Sequence, residues 1–299
     1  MHEYDIIILT DERYESDDEG NWYIAQIMKE EGLLLAGLRS RGLRARRVAW
    51  SNPNFDWSTT RAAVFRSTWD YFERYPEFSA WMDRVVSQTR LFNSPALLRW
   101  NLDKHYLGDL AERGVTVPAT RFIERGETAS LHELVASSGF GEVIIKPAIS
   151  GAARHTYRLR REDCAAHEPV FRELIANEAM LLQPFLGNVL AQGELSLIVL
   201  GGRCTHAVRK IAKPGDFRVQ DDHGGTVHAH TPTAEEIAFA ESAVAACPEL
   251  PMYARVDAVR DDTGALSIME LELVEPELFF RFHPPSADVL AEALVDALA

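Results

Sequence analysis

The chain is poor in cysteine: Cys164, Cys204 and Cys247 are all it has in 299 residues. No two of them have metal-type spacing, and an odd count makes a poor disulfide framework. Buried thiols in a reducing compartment are the expectation. Long apolar runs are missing as well. The run near the start, Ile6 to Leu9, has only strand length, and no basic segment precedes it, so it reads as neither a secretion signal nor a membrane span. Positive charge is scarce, with 31 Lys and Arg against 45 Asp and Glu and a formal net charge of −14. That balance argues against a non-specific nucleic-acid binder and against an anionic membrane surface as partner. A cytoplasmic protein is expected, with its oligomeric state open, a homo-oligomer included. An acidic total still leaves room for a local basic pocket. What is present is ordinary for a globular protein, 46% hydrophobic and 25% charged. The length allows two or three lobes with a sizeable core.

Periodicity and turn residues divide the chain into three parts. Residues 1–95 alternate strand and helix: strands at 4–9, 46–50 and 62–66, helices at 22–38 and 78–86. This rhythm predicts a small parallel α/β lobe. Residues 96–186 begin with a helix over 96–113 closed by Gly114. Strands at 119–123, 142–148 and 179–184 and helices at 131–137 and 169–176 follow. Residues 187–299 read as an antiparallel set, 194–200 turning at Gly201-Gly202 into 203–210, and 253–259 turning at 262–264 into 266–274. Helices at 234–246 and 287–298 cover it.

The most informative segment is Arg255-Val256-Asp257, a turn, and then Glu270-Leu271-Glu272. Strand side chains alternate faces, so Arg255 and Asp257 share one face and Glu270 and Glu272 share another. A hairpin turning about Thr263-Gly264 sets Asp257 opposite Glu270 and Arg255 opposite Glu272. Three carboxylates facing one another repel and call for a cation. All-oxygen ligands suit Mg²⁺, which commonly bridges carboxylates and nucleotide phosphates. The bland alternative is a solvated charged face, and a slip of one residue would break the pairing.

Other features are weaker singly. Lys146 ends the apolar strand Val143-Ile144-Ile145, where a lysine meets an anion or snorkels to water. Lys104 is equally ambiguous on its helix. Arg218 lies on a loop between Gly215 and Gly224-Gly225, placed for an anion or on the bare surface. Gln183-Pro184-Phe185-Leu186 runs from a strand into a turn whose backbone can read an adenine edge, and Glu194 downstream can hold ribose hydroxyls.

Taken in order, Lys104, Lys146, Gln183 to Leu186, Glu194, Arg218, Asp257, Glu270 and Glu272 resemble the succession of nucleotide and metal positions in ATP-grasp enzymes. The resemblance covers about residues 97–299, and the preceding lobe resembles the family's N-terminal, Rossmann-like domain. It implies an α/β and α+β architecture with ATP between two lobes. Lys104 and Lys146 would hold the α- and β-phosphates. Gln183, Phe185 and Leu186 would meet adenine, and Glu194 the ribose. Arg218 and Arg255 would act on the transferred phosphoryl group. Asp257, Glu270 and Glu272 would bind two Mg²⁺ ions. Two departures stand out. Glu272 occupies the second position of the usual Glu-x-Asn metal pair, and the phosphate-covering loop 148–155 has Gly151 as its one glycine.

A closer likeness is carried by Arg66-Ser67-Thr68-Trp69-Asp70-Tyr71, by residues 215–220 and by residues 270–278. These look like the ATP-grasp subgroup of cyclo-ligases that close O-ureido-D-serine to D-cycloserine in antibiotic biosynthesis. The likeness implies a small amino-acid substrate. Arg66, Asp70 and Tyr71, at a strand end where α/β sheets meet ligands, are candidates for its recognition, and Glu275 for its ammonium. A ligase joining a carboxylate to a free amine is the first rival. A non-catalytic ATP-binding module is the second, although it would have no need of Arg255 and three carboxylates.

Overall fold

The computed structural model describes residues 2–16, 18 and 20–299. Its first lobe is a parallel sheet of β1 (Tyr4–Thr10), β2 (Ala45–Ala49), β3 (Thr60–Ser67) and β4 (Arg90–Phe92) in the order β2-β1-β3-β4. Helix α1 (Trp22–Ser40) starts at Asn21, whose side chain accepts the N–H groups of Tyr23 and Ile24. Helix α2 (Tyr75–Val85) packs Phe78, Trp81 and Met82 inward. Strand β1 carries the unbroken apolar run Ile6 to Leu9 because both of its faces are covered. Ile6 and Ile8 enter one core, and Ile7 and Leu9 another.

The helix expected over 96–113 is in fact two, α3 (Pro95–Leu102) and α4 (Tyr106–Glu112). At the break Asp103 is extended, and the Lys104 N–H donates to the Ala148 carbonyl at 2.9 Å instead of to its own helix. The second sheet is antiparallel: β5 (Arg121–Ile123), β6 (Glu142–Pro147), β7 (Tyr157–Arg160) and β8 (Met180–Pro184) in the order β5-β8-β6-β7. It is backed by α5 (Leu131–Ser138) and α6 (Cys164–Asn177). Strand β7 escapes sequence reasoning because Tyr-Arg-Leu-Arg is a half-exposed edge with one buried side chain.

After the short α7 (Asn188–Gln192) comes the third sheet. Its strands are β9 (Glu194–Leu200), β10 (Arg203–Ile211), β11 (Thr226–His230), β12 (Tyr253–Arg260) and β13 (Leu266–Glu272), in the order β11-β10-β9-β12-β13. One face, with Leu197, Val256 and Leu271, packs under α3, α4 and α8 (Ala234–Ala245). The other carries charge at one end and Ile198, Leu200, Val208 and Tyr253 at the other. There it shares a core with the first lobe and with α9 (Pro285–Leu298). Helix α9 lies so close to α1 that a Cβ on Gly37 would sit 3.0 Å from the Ala291 Cβ.

Two one-residue irregularities decide which side chains reach the charged end. In β12–β13, Arg260, Val259 and Ala258 pair with Leu266, Ser267 and Ile268. The register then shifts, and Asp257 and Arg255 pair with Glu270 and Glu272. In β10 a similar shift between Cys204 and His206 puts Lys210 opposite Glu194. Without the first bulge, Glu270 and Glu272 would share a face with Ile268 and point into the apolar core.

Candidate active site

The three sheets enclose a cavity of about 540 Å³. Lys104, Lys146, Gln183, Phe185, Leu186, Glu194, Arg218, Arg255, Asp257, Glu270, Glu272, Glu275 and Tyr71 all line it. Local causes are plain for several. The break between α3 and α4 brings Lys104 inward, where its ammonium meets Glu270 Oε1 at 3.0 Å and the Ser150 carbonyl. Strand alternation sets Lys146 beside Ile144 on the cavity face of β6. At the hinge, the Phe185 N–H donates to the Glu142 carbonyl at 2.9 Å, the Arg158 guanidinium lies 3.8 Å from the centre of the Phe185 ring, and Gln183 Nε2 donates to Thr120 Oγ1 at 2.8 Å.

Asp257 is the most heavily bonded carboxylate. Arg255 Nε donates to both of its oxygens at 3.0 and 3.1 Å, and Arg255 Nη2 to Oδ2 at 2.9 Å. Ser196 Oγ donates to Oδ1 at 2.5 Å, and Lys210 Nζ to Oδ2 at 3.1 Å. Burial alone would raise its pKa, but Arg255 and Lys210 outweigh that and hold it at about 2. Lys210 also pairs with Glu194 at 2.5 Å. Burial nonetheless raises Glu194. For Glu270, Lys104 and Lys146 overcome burial and lower the pKa. Burial prevails at Glu272, which shares Arg255 with Asp257 and rises to about 7. Burial, with Glu272 and Glu270 as neighbours, drives Glu275 to about 8. Burial also lowers Lys146. Eight carboxylate residues line the chamber against five Lys and Arg, a balance that favours taking up a further cation.

Arg66 and Asp70 do not line the cavity, contrary to expectation. Buried Arg66 needs acceptors and finds them in the Pro276 carbonyl and the Tyr253 ring, 5.5 Å away. Asp70 accepts from Trp50 Nε1 at 2.7 Å and from Arg74 Nη1 at 2.8 Å. Of that motif, Trp69 and Tyr71 reach the chamber. Arg218 lines it with its guanidinium bonded to Asp216 at 3.1 and 2.8 Å. The loop after Lys146 comes so near the first lobe that a Cβ on Gly151 would stand 2.7 Å from the Phe72 ring. Only glycine fits that approach.

A family model described as the N-terminal domain of D-cycloserine synthetase DcsG matches residues 6–93. The cycloserine biosynthesis protein DcsG of Streptomyces lavendulae is 34% identical over 286 residues, which cover 89% of this chain and 92% of that protein. The chain belongs to the D-cycloserine synthetase family of ATP-grasp ligases. The crystal structure of D-cycloserine synthetase DcsG matches with a TM-score of 0.84 at 31% identity, covering 98% of this chain and 99% of that one. D-Alanine–D-alanine ligase from Bacillus anthracis, 14% identical, shares the fold at a TM-score of 0.67 over 99% of this chain and 97% of its own.

Within this family member the residues expected to bind metal are not a ready cage. Among the described residues no three carboxylate, His or Cys side chains converge on one point. Each expected ligand is turned onto a protein cation instead. The donor set still fits Mg²⁺, which takes one or two carboxylates and completes its octahedron with phosphate and water. Glu270 and Glu272 each engage a protein cation through Oε1. Both oxygens of Asp257 are already in use.

Sequence reasoning overlooked Lys210, Ser196, Asn101 and Tyr106. The pair Asn101 and Tyr106 stands in for a missing neighbour strand along the outer edge of β13. Asn101 Nδ2 donates to the Leu271 carbonyl at 2.7 Å, and Asn101 Oδ1 accepts the Leu273 N–H at 2.8 Å. The Tyr106 hydroxyl accepts the Leu271 N–H at 2.9 Å. The backbone between Glu270 and Leu273 is thereby fixed from both sides. For Lys210 a signal existed, since the turn at Gly201-Gly202 brings the far end of β10 beside Glu194, but the bulge decided its face.

Proposed function

We propose that the chain uses ATP to activate the carboxylate of O-ureido-D-serine as an acyl phosphate and closes the product to D-cycloserine. The observation that carries the chemistry is one chamber in which Lys104 and Lys146 face Arg255 and the carboxylates Asp257, Glu270 and Glu272. The choice of substrate is supported by 34% identity across 92% of the cycloserine biosynthesis protein.

In this reading adenine lies at the hinge, 183–186, and the ribose hydroxyls meet Glu194. Lys104 and Lys146 neutralise phosphate oxygens. Glu270 and Glu272 would hold Mg²⁺. Asp257, now held by Arg255, Ser196 and Lys210, would be the further carboxylate for a second ion if Arg255 turned to the phosphoryl group. Bound there, magnesium would supply charge neutralisation at the phosphoryl oxygens. A substrate carboxylate oxygen attacks the γ-phosphorus and ADP leaves, with Arg255 and Arg218 steadying the phosphoryl group. Glu275, beside Tyr71, receives the substrate ammonium. The side-chain oxyamine nitrogen then attacks the acyl carbon and phosphate leaves. With water, the ureido carbonyl departs as carbon dioxide and ammonia. The chain's contribution is largely positioning and charge neutralisation.

The test is ADP release and product mass with O-ureido-D-serine and ATP, with and without excess D-alanine. Intramolecular closure has an effective molarity of ~10⁵–10⁸ M when well oriented, so millimolar D-alanine should not divert it. A D-alanyl dipeptide as main product, or ADP only after a second amino acid is added, would replace this reading with an intermolecular ligase.

A further inference from the structure

The chamber has two aromatic ends. One is the hinge, where the Phe185 and Phe217 rings meet at 6.1 Å. The other belongs to the first lobe, and the roles above leave it unassigned. There Tyr14 lies 5.8 Å from Trp69 and 6.0 Å from Tyr23, and Tyr23 lies 6.0 Å from Trp69. All three rings line the chamber. Trp69 is fixed in orientation, since its Nε1 donates to the Glu275 carbonyl at 2.9 Å. The wall therefore begins at the backbone of the residue that faces the chamber's carboxylates.

Arg13 stands beside this wall. Fully buried Asp11 grips it, with Arg13 Nε donating to Oδ1 at 3.2 Å and Nη2 to Oδ2 at 2.8 Å. Nη1 takes no part in that chelate, and half of the Arg13 side chain is exposed. The carboxylate of Asp11 offsets the guanidinium charge while leaving a hydrogen-bond donor. An anion would find little net attraction there. A purely apolar group would leave the guanidinium donor unmatched. The rings meet edge-on or tilted, so each can offer a face or an edge to a guest, and the group that suits them and a neutralised donor is planar, uncharged and equipped with a carbonyl.

We propose that Tyr14, Tyr23 and Trp69, with Arg13, form the subsite for the substrate's side-chain ureido group, its plane against the rings and its carbonyl accepting from Arg13. This rests on the proposed function and narrows it to the part of the substrate that distinguishes it from other D-amino acids. The subsite holds the side chain while the ammonium engages Glu275. The oxyamine nitrogen is thereby kept within reach of the carboxyl carbon.

The experiment is calorimetric binding of O-ureido-D-serine and of D-serine, each in the presence of a non-hydrolysable ATP analogue. The proteins are wild type, Tyr23→Leu, Trp69→Leu and Arg13→Met. Wild type should prefer the ureido compound, and removing one ring should reduce that preference roughly tenfold. Affinity for D-serine and for the nucleotide analogue should stay unchanged, which also shows that the variants fold. A preference that survives in all three variants overturns the subsite while leaving the proposed reaction standing. If wild type binds both amino acids equally, the subsite fails as well. If wild type binds neither, the substrate assignment fails and takes this inference with it.

Discussion

The hairpins β9–β10 and β12–β13 belong to one sheet, and each uses one extra residue to turn charge toward the chamber. They differ in how the extra residue is secured. In β9–β10 the shift lies near the turn, on a strand with ladders on both sides. Thr205 Oγ1 donates to the Ile198 carbonyl at 3.3 Å, and His206 Nε2 bonds the Leu278 carbonyl at 2.8 Å. In β12–β13 the shift falls immediately before Glu270, on the edge strand. Among the described residues no second ladder secures β13, and Asn101 and Tyr106 bond its outer backbone. An interior strand has its register fixed by its neighbours, whereas an edge strand needs side chains to do so.

Inserting one residue between Met269 and Glu270 breaks the comparison most severely. With the bulge at Met269 kept, Glu270 and Glu272 would then take the face of Ile268, and two carboxylates would press into the apolar core. ADP release should fall beyond ~10³-fold, with a lower urea midpoint. Inserting one residue between Thr205 and His206 instead should turn Lys210 away from Glu194, but leave Glu270 and Glu272 in place. Retained turnover after the insertion before Glu270 would show that the face of β13 does not set the site.

The single changes Glu270→Gln and Glu272→Gln keep shape and remove charge. Each should lower turnover by about 10²–10³-fold and weaken the response to magnesium, with folding intact. Magnesium titrations of the rate decide the matter, and near-normal rates at low magnesium would sink the metal assignment.

On the other hairpin, Lys210→Met leaves Glu194 and Asp257 buried without their shared ammonium. The expected destabilisation is about 3–5 kcal/mol, read by urea unfolding. Adding Glu194→Gln should recover part of it, since one stranded charge is then gone. An additive double variant would mean that the two side chains do not act as a pair.

The smallest effect is a pH dependence confined to the β13 side. The folded pKa values of Glu272, about 7, and Glu275, about 8, lie above the ordinary 4.5. The folded state therefore binds more protons than the unfolded chain. This contribution is fully present below about 4.5 and is lost as pH rises through about 7 and 8. Unfolding in chelator should show stability declining across that window. Glu275→Gln should flatten the decline, and so should magnesium with a nucleotide analogue. A profile unchanged by either would contradict the crowding of negative charge at this end.

Much of this was legible from composition and alternation. The run Ile6 to Leu9 announced a strand covered on both faces, and the period of two in 253–259 and 266–274 put Arg255 with Asp257 and Glu270 with Glu272. The pairing of Asp257 with Glu270 and of Arg255 with Glu272 was anticipated at the site end, but through a regular turn, whereas the actual ladder reaches it by a bulge. Three features escaped sequence reasoning for a common reason. The break at Asp103–His105, the burial of Arg66 against Pro276 and Tyr253, and the side-chain support from Asn101 and Tyr106 all rest on partners distant in the chain. Local periodicity holds no record of such partners.

The sequence by itself determined most of the strands and helices, which residues carry charge, and which of those share a strand face. These properties depend on side-chain chemistry and on a backbone repeat of two or 3.6 residues. Only the tertiary structure decided which face looks into the chamber, because one inserted residue reverses a strand and the choice is fixed by the cores on either side. It alone also decided that Lys104 leaves its helix, that Lys210 joins Glu194 and Asp257, and that Asp70 serves Trp50 and Arg74 rather than the cavity. A buried charge takes whatever partner the packed chain brings within reach, since leaving it unpaired away from water costs more than any local preference.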